Sequence, residues 1–179
     1  MQLTDILRSV LEAASSNLQV YGEEYWVDAT KAETRFKFIA ALKEETTPIL
    51  LRAQVEFGFD AIYTSSLVYG TVYDGEGDEV KPEMELEMTV NVTNDETKTI
   101  DMEKLQQALV GIIRKESAIV HNERLAHHPT GEHYHEYKIE YFWTIGQDDL
   151  LNVEMYKGIF LELKKVLNYL KLQRSEGER

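Results

Sequence analysis

His133-Tyr134-His135-Glu136-Tyr137-Lys138-Ile139-Glu140-Tyr141-Phe142-Trp143-Thr144-Ile145 is the stretch on which the reading of the fold turns. Side chains of a strand alternate between its two faces, so the odd positions, from His133 and His135 through Ile139, Tyr141, Trp143 and Ile145, share one side. The even positions, Glu136, Lys138 and Glu140 among them, are mostly polar. This predicts a strand with one buried and one wet face, lying between two helical stretches able to cover it. Two histidines stand in line with the apolar residues instead of opposite them, which marks the start of the strand as a candidate site.

Toward the C-terminus, Asp148 and Asp149 suit the positive end of a helix dipole. Met155, Ile159, Leu163, Val166, Leu167 and Leu170 then recur at helical spacing, predicting a helix from about 148 to 170, and Gln173 to Arg179 reads as a disordered tail. Upstream, Pro129-Thr130-Gly131-Glu132 is a turn that folds residues 121–128 back as a hairpin. From the N-cap Asp101, the residues Met102, Leu105, Leu109, Ile112, Ile113, Ile119 and Val120 predict a second helix reaching about His121.

Before Asp101 the period is two. Met84, Leu86, Met88, Val90 and Val92 alternate with Glu83, Glu85, Glu87, Thr89 and Asn91, and Asp74-Gly75-Glu76-Gly77-Asp78 is a turn by composition. Residues 49–61 and 34–43 are expected as strands, 24–29 as a shorter one, and 66–73 as the neighbour of 49–61. Leu3, Leu7, Val10, Leu11, Ala14 and Leu18 mark the buried stripe of a first helix, which Tyr21-Gly22 ends. The expected core joins Phe36, Phe38, Val55, Phe57, Leu86, Met88, Leu109, Ile113, Ile139, Tyr141, Ile159 and Leu163.

The order is helix, four or five antiparallel strands, helix, hairpin and long helix. With 179 residues and 43% hydrophobic content, the chain can bury a core without disulfides or metals. The expected fold is one α+β domain over residues 1–172, an antiparallel β-sheet covered on one face by helices in two layers. This element order, clearest from Thr99 to Leu170, together with the acidity, resembles the fold of type III secretion chaperones and YbjN-like proteins. The resemblance implies a chaperone-like binding role, with apolar grooves beside the last helix open to an extended partner segment.

The chain has no cysteine, and 32 acidic against 19 basic residues give a net charge of −13. Thiol catalysis and cysteine-rich zinc sites are excluded. Between Asp74 and Glu103 lie eleven acidic residues and two lysines, so most of the surplus charge sits in one sixth of the chain. Such a balance opposes direct nucleic-acid binding, which needs a basic stripe, and points to a protein partner, basic in character. Glu83, Glu85 and Glu87 on one strand face, with Asp74, Glu76 and Asp78 at the turn, are the expected partner-binding residues. No stretch is apolar enough to span a bilayer and no signal peptide is evident, so a cytoplasmic protein without membrane contact is expected. Self-association as a homodimer stays open.

All five histidines, His121, His127, His128, His133 and His135, fall within 15 positions. In the expected hairpin His128, or His127 after a slip of one, faces His133. His128, His133 and His135 could then hold zinc with an open position for water, and Glu123 or Glu132 could serve as base; half-buried histidines at a hairpin end are the alternative. Asp74, Glu76, Asp78 and Glu85 match four positions of a calcium loop, but Glu79 stands where that loop needs glycine. Phosphate loops, dinucleotide fingerprints and nucleophile elbows are absent. No catalytic residues and no cofactor beyond that zinc are expected. The expected function is a non-enzymatic, acidic protein-binding module, chaperone-like or of inhibitor or immunity type; a structural or assembly subunit, viral included, and a metal-dependent enzyme built on the histidines are the other readings.

Overall fold

The computed structural model describes residues 3–28, 33–44, 51–60, 63–65, 70–95, 102–112, 119–125 and 134–176. In chain order the elements are α1 (Leu3–Asn17), β1 (Gln19–Asp28), β2 (Glu33–Ala41), β3 (Leu51–Phe59), β4 (Met84–Asp95), α2 (Met102–Ile112), β5 (Ile119–Leu125), β6 (Tyr134–Ile145) and α3 (Val153–Glu176). The strands form one antiparallel sheet of order β1-β2-β3-β4-β6-β5. The helices lie on one face of it, so the fold is the expected two-layer α+β arrangement.

Alternation fixes which face is covered. Even positions of β2 and β4 and odd positions of β3 and β6 are buried: Phe36, Phe38, Ala40, Ala53, Val55, Phe57, Leu86, Met88, Val90, Ile139 and Tyr141. Ile6, Val10, Ala13 and Ala14 of α1, Leu109 of α2, and Tyr156, Phe160, Leu163, Val166, Leu167 and Leu170 of α3 close over them. Of the expected core, Ile113 lies outside the described residues; every other member is buried. Phe57 centres the cluster, its ring stacked on Phe36 at 5.1 Å and edge-on to Phe38 at 6.4 Å.

Several expectations are corrected. Tyr21-Gly22 does not end α1; it belongs to β1, where Tyr21 pairs with Ile39, Glu24 pairs with Lys37, and Gly22 and Glu23 together oppose Phe38. This is a β-bulge, with Gly22 at φ 64 in the left-handed region that glycine tolerates. The buried stripe of α1 is centred on Ile6, Val10 and Ala13, leaving Leu3, Leu7 and Leu11 half-buried beside it. β3 pairs with β2 and β4, so 66–73 is not its neighbour; residues 66–69 lie outside the described residues, and Tyr73 bridges only to Glu79.

The second helix is described over Met102–Ile112, residues 113–118 lie outside the described residues, and Ile119, Val120 and His121 are strand. A 3-10 turn over Gln147–Asp149 precedes α3. The last helix is capped by Asn152, whose side-chain oxygen accepts from the Met155 amide at 3.1 Å and whose side-chain amide donates to Asp149 at 2.8 Å. It continues to Glu176, into the segment where a disordered tail was expected; residues 177–179 lie outside the described residues. Among the described residues no helix is long and apolar enough to cross a membrane.

Candidate functional site

The sheet face opposite the helices carries the polar half of every alternating strand. Cross-strand partners share a face, so the registers of neighbouring strands order this surface into rows. One row runs Arg35, Gly58, Glu85, Thr144, and the next Glu24, Lys37, Glu56, Glu87, Phe142. A third runs Tyr21, Ile39, Gln54, Thr89 and Glu140, and a fourth Arg52, Asn91 and Lys138. The face therefore carries Glu56, Glu85 and Glu87 toward the start of β4, and Arg52 with Lys138 toward the start of β3.

Arg35 organises the acidic end. Its guanidinium donates to Glu85 at 3.1 Å and lies 3.6 Å from Glu33 and 3.7 Å from Asp60. To reach Glu85 it must pass over β3, and the residue it passes is Gly58, where a Cβ would stand 2.5 Å from the Arg35 Cδ. Glycine is the only residue that leaves this path open.

In the neighbouring row Glu56 stands between Lys37 on β2 and Glu87 on β4. Glu56 and Glu87 face one another directly, and like charges in that position repel. Burial pushes the Glu87 carboxyl above the usual range, and the charges of Glu56 and Glu140 push it further, against the Thr89 hydroxyl at 3.4 Å and the Arg35 charge. Phe142, directly across from Glu87, is 41% exposed.

The residues expected to bind a partner are thus divided. Glu85 and Glu87 lie along β4, and Glu83 just before it stands near the Tyr63 hydroxyl at 3.5 Å; Glu83 and Glu85 are exposed, Glu85 being met by Arg35, and Glu87 is half-buried. Asp74, Glu76 and Asp78 form a separate loop. There the Asp74 carboxylate accepts from the amides of Glu76 at 2.8 Å and Asp78 at 3.0 Å. The Asp78 and Glu76 amides hold it below the usual carboxylate range. Its role is to close the turn, and with Glu85 turned to Arg35 the four calcium-loop positions do not converge. Glu56 and Glu140, which the sequence reading passed over, belong to the acidic end because β3 and β6 flank β4.

His128 and His133 lie outside the described residues, as does His127. His135 pairs in register with Asn94 on one side and Arg124 on the other. His121 pairs in register with Lys138. The described β5–β6 register ends with Leu125 opposite Tyr134, and the expected pairing of 128 with 133 lies outside the described residues. Among the described residues no group of three or more histidines and carboxylates is placed to hold a metal.

Comparison with protein-family models, with curated proteins and with solved structures returns no match.

Proposed function

We propose that this chain is a non-enzymatic protein-binding module, chaperone-like or of inhibitor type, that receives a basic segment of a protein partner on the acidic end of the outer sheet face. The observation that carries the reading is the Glu56–Glu87 pair, with Glu140 beside it. Like charges held face to face oppose folding, and a cation laid over them would turn the repulsion into charge-assisted hydrogen bonds. Arg35 supports the idea from within the chain, because it is a guanidinium already lying along this face between carboxylates. Phe142 supplies an exposed ring beside Glu87 for the apolar part of a basic side chain.

The test is a titration with an arginine-rich peptide followed by backbone amide NMR. Shifts concentrated on Glu56, Glu87, Glu140 and Phe142 and weakened by salt are expected. Shifts spread evenly over the acidic surface would refute a defined site. A stable oligomer that buries this face in the absence of peptide would move the protein to the assembly-subunit class.

A further inference from the structure

The bulge in β1 has a consequence on the helix side of the sheet. Where Gly22 and Glu23 together oppose Phe38, the regular β1–β2 ladder is interrupted and a slot of about 150 Å³ lies between α1 and β2. Leu7 and Leu11 form its α1 side, Phe36 and Phe38 its β2 side, and Glu23, Glu24 and Lys37 complete the lining. The two rings are not free to close it. Phe36 is stacked on Phe57 at 5.1 Å, and Phe38 packs against Phe57 at 6.4 Å and Phe160 at 6.1 Å. The slot is therefore preformed, which spares a ligand the ordering cost of shaping it.

Size and charge restrict what it can hold. A cavity of about 150 Å³ lined by leucine and phenylalanine suits one benzene-sized group. Glu23 in the bulge and Glu24 just after it are both exposed. The one cation in the lining, Lys37, stands in register between Glu24 and Glu56, so the carboxylates outnumber it. The overall charge of −13 further disfavours an anionic ligand.

We infer that the slot binds a cationic amphiphile, with an apolar part of about one aromatic ring against Phe36, Phe38, Leu7 and Leu11 and an ammonium group at Glu23 and Glu24. The apolar part of the site lies on the helix side of the sheet, while Glu24 and Lys37 at its mouth also belong to the second row of the outer face.

Phenethylammonium, 2-phenylethanol and 3-phenylpropionate share the ring and differ in charge, so amide NMR titration of the full chain with each tests both halves of the inference. Phenethylammonium should give saturable shifts at Gly22, Glu23 and Phe38 with a Kd on the order of 1 mM. The alcohol should bind about threefold to tenfold more weakly and the carboxylate more weakly still. Glu23→Gln with Glu24→Gln, both at exposed positions, should bring the ammonium and the alcohol to within about twofold of each other. Leu11→Phe should fill the slot and remove the shifts for all three; if that variant does not fold, the glutamine pair still decides. The inference is overturned by absence of saturable shifts, by equal affinity for the three probes, or by shifts at the slot that appear on concentrating the protein alone, which would mean that a second copy occupies it.

Discussion

Replacing Gly58 with alanine tests the arrangement of the acidic end most sharply. The added Cβ would fall against the Thr34 carbonyl oxygen and 2.5 Å from the Arg35 Cδ. The carbonyl belongs to the β2 backbone, which cannot yield without shifting the β2–β3 ladder. The Arg35 side chain can yield, but only by leaving Glu85. Overpacking of this kind costs about 1–3 kcal/mol. Losing the pair to Glu85, a carboxylate 61% exposed, adds about 0.2–1 kcal/mol after solvent screening. Lower chain entropy in the unfolded state offsets about 0.4–1 kcal/mol. Gly58→Ala should therefore destabilise by about 1–3 kcal/mol in urea denaturation, and by less when Arg35 is already alanine, because only the Thr34 clash then remains. A loss under about 0.5 kcal/mol would refute the close approach, and additivity of the two changes within that margin would refute the part assigned to Arg35.

Glu87→Gln should stabilise the protein at pH 7 by about 0.2–1 kcal/mol, the range for relief of a like-charged cross-strand pair. The Glu87 carboxyl is raised above its ordinary value of 4.5, so its favourable contribution is present below that value and lost as pH rises through the raised one. The advantage of the glutamine should accordingly shrink as pH falls toward 4.5 in denaturation followed across pH. Tyr141→Phe should be neutral or stabilising by about 1 kcal/mol in thermal melts, since the Tyr141 hydroxyl is buried without a hydrogen-bond partner among the described residues and burying such a group carries a desolvation cost. Leu109→Ala, at the contact of α2 with the core, should cost about 2–5 kcal/mol by urea titration; a smaller loss would mean that α2 is not part of the cooperative unit.

The strands β2, β3, β4 and β6 were legible because alternation is a local signal, and their buried faces follow from it residue by residue. The signal failed where two periods fit the same residues. Ile112, Ile113, Ile119 and Val120 satisfy helical spacing, yet Ile119 and Val120 are also a short β-branched run, and pairing with β6 makes them strand. Tyr21-Gly22 resembles a helix stop, but a glycine with positive φ serves a bulge equally well. In α1 the heptad-like leucines drew attention from Ile6 and Ala13, which are the residues facing the core; the displaced Leu7 and Leu11 line the slot instead.

The candidate site was legible only in part. Glu85 and Glu87 could be seen as one strand face, but their neighbours could not, because Arg35 and Glu85 are 50 residues apart and meet only through the registers of three strands. A glycine in an alternating strand was the available hint, since Gly58 breaks a polar row without making a turn.

The most direct test of the protein-binding reading is calorimetric titration of the arginine-rich peptide into two variants of equal net charge. Glu56→Gln, Glu87→Gln and Glu140→Gln neutralise the acidic end of the outer face, whereas Glu103→Gln, Glu154→Gln and Glu162→Gln neutralise as many carboxylates on α2 and α3. The account predicts that the first variant loses about tenfold or more in affinity, equal to about 1.4 kcal/mol, while the second stays within about threefold of the wild type. Equal losses in the two would show that the peptide senses only overall charge, and would contradict a partner site on the outer sheet face.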